Sequence, residues 1–229
     1  MSGTLRLQTE FENRYLYPSK VGAGILYKKG YILTNAHVVS DSFEVPSGST
    51  RVKHWVVGKV VANFYGGVQC DAEVLSVNVG KDVALLKIPE SVIKPSNIPC
   101  VFSKDVPGRG DKVFVVGHPH GVPFNVKYGH VSNPSRPLSD IRAFVQNGFP
   151  HSFEYMDPDM TFLEIDVTAA KGSSGGPIST AEGSVFGVLH AGIEGTACYG
   201  IPVAIIKRAV RRMLNRSRSP GYDVFCHLN

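Results

Sequence analysis

The sequence predicts an all-β protein, a pair of barrels or sandwiches finished by one late helix. Three observations predict it. Short apolar runs recur from Val21 onward. Turn formers separate them, with 24 Gly and 15 Pro among 229 residues. A sustained helical spacing of apolar residues comes only near the end, over Ala204–Leu214.

Taken in order, residues 1–18 show little pattern and read as an N-terminal arm. Gly22–Tyr27 and Tyr31–Thr34 flank the turn Lys28-Lys29-Gly30 and make a hairpin, and a short helical turn follows at His37. Residues 41–51 carry Pro46, Ser47, Gly48 and Ser49 and read as loop. His54–Val57, Lys59–Ala62, Ala72–Val77 and Val83–Ile88 are strand-like, the third alternating as a half-buried strand does. Four prolines between Pro89 and Gly110 mark a connector. Asp111–Gly117, Val126–Val131, Phe162–Val167 and Gly183–His190 supply strands of a second half, with residues 133–160 loop-rich. The division is therefore an arm at 1–18, a first barrel at 19–105 and a second barrel with helix and tail at 106–229.

Bulk composition narrows the class. Hydrophobic residues make up 43% of the chain, too many for disorder. No run approaches the ~20 apolar residues of a membrane span, and the start lacks the apolar core of a signal peptide. Cys70, Cys100, Cys198 and Cys226 form no CxxC pair and no zinc-finger spacing, so they read as free thiols. Together these features favour a cytoplasmic setting, in a cell or a host cell. The net charge of +5 is uneven: Lys207–Arg218 carries six basic residues and no acid. That stretch reads as the solvated face of a helix with a basic tail. It is also a candidate for nucleic-acid contact, although few aromatics interleave for base stacking.

Three stretches carry chemistry. Lys171-Gly172-Ser173-Ser174-Gly175-Gly176-Pro177 reads as a nucleophile loop: glycines on both sides of Ser174 permit a sharp turn, which can aim amides at one point where a carbonyl oxygen becomes negative. A serine hydroxyl is a weak nucleophile and needs an adjacent base. Thr34-Asn35-Ala36-His37-Val38-Val39 follows a strand-like run and offers His37. Lys81-Asp82-Val83-Ala84-Leu85-Leu86 opens another and offers Asp82. The chain order His, Asp, Ser is that of the trypsin/chymotrypsin arrangement and differs from the subtilisin and α/β-hydrolase orders.

Those stretches, with Gly24-Ile25-Leu26, Gly110–Gly121, Gly129–Ser132 and Gly200-Ile201-Pro202, resemble a chymotrypsin-fold serine protease over roughly residues 20 to 214, most closely the HtrA/DegP-type protease domain without its PDZ domain. The resemblance implies two six-stranded antiparallel β-barrels with the site in the cleft between them and a C-terminal helix. It implies Ser174 as nucleophile, His37 as base and Asp82 as the partner of His37, with amides of Gly172, Ser173 and Ser174 at the oxyanion. It implies a polypeptide substrate and no metal or organic cofactor. Val38 replaces the cysteine, and Ser173 the aspartate, that secreted trypsins place beside these residues.

The same resemblance places Thr168 near the base of the specificity pocket and His190-Ala191-Gly192 along its wall. With no Asp at the base, small or medium apolar side chains are the expected preference. His190 opens an alternative: a viral polyprotein-processing protease of this fold that reads Glu or Gln through a pocket histidine, unless strand register turns His190 toward Asp82 instead. A protease-like binding module is a further alternative. Homo-oligomer formation through residues 1–18 is expected by analogy with HtrA trimers.

Overall fold

A computed structural model describes residues 3–13, 16–144, 153–193, 197–216 and 225–226. The first barrel comprises β1 (Thr4–Glu10), β2 (Ser19–Lys28), β3 (Tyr31–Thr34), β6 (Lys59–Phe64), β7 (Gln69–Asn78) and β8 (Val83–Lys87). It closes because β8 pairs with both β3 and β7, while β1 joins β2 to β6. Between β3 and β6 stand the one-turn helix α1 (Ala36–Val39) and a projecting hairpin, β4 (Ser40–Ser47) and β5 (Thr50–Val57). The second barrel is β9 (Lys112–Gly117), β10 (Asn125–Pro137), β11 (Thr161–Ile165), β14 (Ala197–Pro202), β13 (Val185–Ile193) and β12 (Pro177–Ser179), closed by β12 on β9. Helix α2 (Leu138–Phe144) follows β10, α3 (Val203–Arg216) follows β14, and a short strand β15 (Phe225–Cys226) lies parallel to β7. Two closed six-stranded antiparallel barrels and a C-terminal helix are the architecture expected from the sequence.

Each barrel has its own apolar filling, and a third cluster joins them. Leu5, Leu7, Leu26, Ile32 and Leu86 fill the first; Val113, Leu163, Ile165, Ile178 and Phe186 fill the second. The joining cluster runs from Ile25, Leu33 and Leu85 through Phe162 and Tyr199 to the buried face of α3, where Ile206, Val210 and Met213 lie. Burying apolar surface at roughly 25 cal/mol per Å2 makes this shared seam the term that fixes one barrel against the other. The opposite face of α3 exposes Lys207, Arg208, Arg211 and Arg212, the solvated basic face expected for it. Arg218 of that basic stretch lies outside the described residues.

Two segments differ from expectation. Residues 4–10 are not an arm: β1 pairs along both edges, and Leu5, Leu7 and Thr9 point into the barrel. Their period-2 alternation, with Arg6 and Gln8 between the inward residues, was the available signal, a weak one over so short a run. Residues 41–51 are not loop but most of β4 and the start of β5, joined by a turn at Gly48 (φ 62°) and Ser49. Pro46 is tolerated because β4 has a partner on one side only.

Candidate active site

His37 lies in α1, directly after the buried strand β3, and faces the cleft with its side chain 30% exposed. Lys20 holds that turn in place, donating to the carbonyls of His37 and Ser40, each at 3.1 Å, while pairing with Asp41 at 2.7 Å. Asp82 opens β8 from φ 50°, a left-handed conformation that Asp accepts better than most residues. Its carboxylate is buried. Oδ1 accepts the His37 amide at 2.9 Å and Oδ2 accepts His37 Nδ1 at 2.8 Å. The Asn35 carboxamide donates to the Asp82 main-chain carbonyl at 3.1 Å, so strand and helix are locked at this point.

Ser174 occupies the turn between β11 and β12, and backbone bonds from both barrels fix it. The amide of Ala23 on β2 donates to Ser174 O at 2.7 Å, and the amide of Gly175 donates to Leu189 O on β13 at 2.8 Å. The Ser174 hydroxyl donates to the carbonyl of His190 at 2.9 Å. Ser174, His37, Asp82 and Gly172 all line one cleft of about 810 Å3, which Phe43 and Trp55 from the hairpin and Tyr155 from the segment before β11 also line. The structure thus gathers the three residues singled out in the sequence into one crevice.

The amides beside Ser174 have distinct fates. The Lys171 and Gly172 carbonyls accept from the amides of His120 (2.8 Å) and His118 (3.2 Å). Since N–H and C=O of a trans peptide point opposite ways, the Gly172 N–H faces away from that turn. Among the described residues the amides of Gly172 and Ser174 make no hydrogen bond, whereas that of Ser173 donates to Ala170 O at 3.1 Å. Ser173 is therefore removed from the expected oxyanion set. Gly172, at φ 100°, cannot become larger: a methyl there would strike the His118 carbonyl.

His190 is the main correction. Strand β13 carries a bulge against β14: Leu189 pairs with Gly200 and Ala191 with Tyr199, so His190 has no partner of its own. The extra residue turns inward. His190 is fully buried, and its Nδ1 lies 2.6 Å from Asp82 Oδ2. It cannot line a substrate pocket, and the Glu/Gln reading built on it loses its basis. Thr168 and Gly192 are exposed and Ala191 half-buried; none of the three lines the large cleft.

Burial alone would raise the Asp82 carboxyl, but the charges and hydrogen bonds of His37 and His190 outweigh it and hold it far below the usual carboxylate range. Burial lowers His190, more than Asp82 raises it. Donor atoms of His37, Asp82 and His190 lie within 4.8 Å of one another, a set that could in principle ligate a metal; here they bond to each other.

One residue that sequence reasoning quoted but did not assign is His118. It is fully buried after β9, with Nε2 3.0 Å from Leu5 O and Nδ1 accepting the Phe124 amide at 2.9 Å. With its own amide on Gly172 O, it ties the first barrel to the loop that presents Ser174.

The fold and this crevice define a chymotrypsin-like protease domain, and the trypsin-like peptidase domain family matches residues 22–188; the chain belongs to that family. It is 29% identical over 213 residues to an HtrA-like serine protease of Staphylococcus aureus, covering 90% of this chain and 25% of that protein. It is 26% identical over 200 residues to a probable periplasmic DegP-like serine endoprotease of Chlamydia muridarum, covering 86% of this chain and 33% of that one. The Rv3671c protease of M. tuberculosis in its active form superposes with a TM-score of 0.70 at 20% identity, over 99% of this chain and 84% of that one. The chain thus spans a third or less of the length of these two curated relatives.

The cytoplasmic setting expected from the sequence is overturned by its relatives, which in two Chlamydia species are named as periplasmic. The free thiols were a poor guide. Burial pushes the Cys100 thiol up to about 11 and raises Cys198, so neither is an activated thiolate. Among the described residues no helix is long and apolar enough to cross a membrane.

Proposed function

We propose that this chain is a serine endopeptidase acting through His37, Asp82 and Ser174. The observation that carries the proposal is the buried Asp82 carboxylate bound to His37 Nδ1 at 2.8 Å, in one cleft with Ser174 and two unpaired amides. Rotation about the Ser174 Cα–Cβ bond moves Oγ from the His190 carbonyl toward His37. Oγ then attacks the scissile carbonyl while His37 Nε2 takes its proton. The tetrahedral oxyanion sits against the amides of Gly172 and Ser174. Collapse expels the amine with the proton from His37 and leaves an acyl-Ser174 ester, which water hydrolyses by the same proton path. Asp82 keeps the His37 proton on Nδ1 and stabilises the imidazolium.

The substrate is a polypeptide running through the cleft past Trp55 and Tyr155. Short apolar side chains beside the scissile bond are the expected preference, Thr168, Ala191 and Gly192 forming a wall next to the main cleft that carries no charge of its own. A peptide-library cleavage profile of the wild type against Ser174→Ala tests this. Cleavage after small or medium apolar residues, absent in the variant, supports it; equal cleavage by both proteins refutes it.

A further inference from the structure

The loop between β9 and β10 runs from His118 to Phe124 and lies against the loop that presents Ser174. It leaves the β9–β10 ladder at the pair Gly117 and Asn125. Two of its amides hold the Ser174 loop: His120 donates to Lys171 O at 2.8 Å and His118 to Gly172 O at 3.2 Å. Inside the turn, Gly121 N–H donates to His118 O at 2.8 Å and Val122 N–H to Pro119 O at 3.0 Å. The conformation is still a costly one. His120 at φ 51° and Phe124 at φ 55° are left-handed without being glycine, each at about 1 kcal/mol or more. Something beyond these turn bonds has to hold it.

The His118 ring is placed to do so. It is buried, its Nδ1 accepts the Phe124 amide at 2.9 Å, and its Nε2 meets Leu5 O on β1 at 3.0 Å. Phe124 stands edge to face on the same ring, centroids 4.9 Å apart, and Tyr65 stands edge to face on Phe124 at 5.2 Å. An amide N–H only donates and a carbonyl only accepts, so the tautomer is fixed: Nε2 carries the proton and Nδ1 is bare. Burial lowers the ring below its ordinary 6.5, which keeps Nδ1 free to accept.

We propose that His118 is a positioning residue of the oxyanion site: its imidazole bolts the 118–124 turn to β1, and that turn holds the Lys171–Gly172 peptide with its N–H toward the reacting carbonyl. The role rests on the protease reading above and adds to it a residue outside the triad. The link from ring to rate is geometric. The N–H of a trans peptide points opposite to its C=O, so the His120 bond to Lys171 O also sets the direction of the Gly172 N–H. Gly172, with no Cβ, does not itself resist rotation of that peptide. Oxyanion donors accelerate because they are aimed before charge develops, and a loosened turn must be aimed again in every turnover. The bolt also joins the two barrels, since Leu5 belongs to the first and the Ser174 loop to the second.

The test compares His118→Leu, which loses both ring bonds, with His118→Asn, which keeps an acceptor near Nδ1, and His118→Gln, which keeps a donor near Nε2. For a Leu variant that folds, as read by its thermal melt, the expected result is a kcat loss of roughly 10- to 100-fold with KM within about twofold. Affinity for a peptide boronate, whose tetrahedral adduct sets an oxygen against the oxyanion amides, should fall by a similar factor. Asn and Gln should lie between Leu and wild type. A folded Leu variant with kcat within about twofold of wild type, or a loss confined to KM, overturns the proposal. Long-range 15N–1H spectra of histidine-labelled wild type read the ring without turnover or mutation. His118 should appear as the Nε2–H tautomer, and an Nδ1–H tautomer overturns the proposal. The spectra also separate the two readings: a wild type that hydrolyses no peptide but shows the Nε2–H signature refutes peptidase function, and with it this role, while the bolt between Leu5 and Phe124 stands.

Discussion

The hydroxyl of Ser174 donates to the main-chain carbonyl of His190 across 2.9 Å. The hydroxyl proposed as nucleophile is thus held by the strand that also carries the His190 ring against Asp82. Because that contact is a single hydrogen bond, Ser174→Ala should cost only about 1 kcal/mol of stability while lowering kcat by roughly 10^4-fold or more. Peptide hydrolysis and a thermal melt of the same sample check both halves of the expectation.

Gly172 should tolerate nothing larger. At φ 100° an L side chain is strained, and a Cβ would collide with the His118 carbonyl. Relieving the clash displaces the amide proposed to face the oxyanion. Gly172→Ala should therefore lower kcat by roughly 100-fold and cost about 1–3 kcal/mol of stability. A variant with full kcat would show that the Gly172 amide does not serve the oxyanion.

Acid should destabilise the fold in two windows. His118 and His190 both fall below the ordinary 6.5, burial being the largest cause for each. As pH drops through 6.5 the unfolded chain takes up protons that the folded chain refuses, so this stability is full above 6.5 and lost below it. Each histidine contributes up to about 1.4 kcal/mol per pH unit. Asp82, held far below 3.8, adds stability that is present above 3.8 and lost as pH falls further. Melting temperature should fall between about pH 7 and about pH 5, less steeply for His118→Gln. A flat profile would mean these imidazoles accept protons in the folded state.

The hairpin wall of the cleft should govern binding more than chemistry. Phe43 and Trp55 line the cleft from β4 and β5, and Trp55 meets Tyr155 of the segment before β11 edge to face, centroids 5.2 Å apart. Trp55→Ala should raise KM by roughly 10-fold with kcat within a factor of about two. Steady-state kinetics on one good peptide substrate distinguishes this from a change in kcat alone.

How far the sequence revealed this site depends on how local each feature is. His37 follows an apolar run, Asp82 opens one and Ser174 sits in a glycine-flanked loop, so short-range pattern finds them, and chain order supplies the chemistry. The two barrels follow from turn spacing and the family resemblance. Local pattern fails where tertiary context decides. The strand at Thr4–Glu10 is short and half polar, and becomes a strand only because β2 and β6 offer it two edges. His190 directly precedes Ala191 and Gly192, and nothing in its neighbours announces the bulge that turns it onto Asp82. Ser173 looks like its neighbour Ser174 until its amide is seen bonded to Ala170.

The most direct test of the central claim is covalent labelling with a fluorophosphonate, located by peptide mass spectrometry. The account predicts one phosphonyl adduct, on Ser174, lost in Ser174→Ala and strongly slowed in His37→Ala. No labelling of folded wild-type protein, or labelling undiminished when His37 is removed, would contradict it.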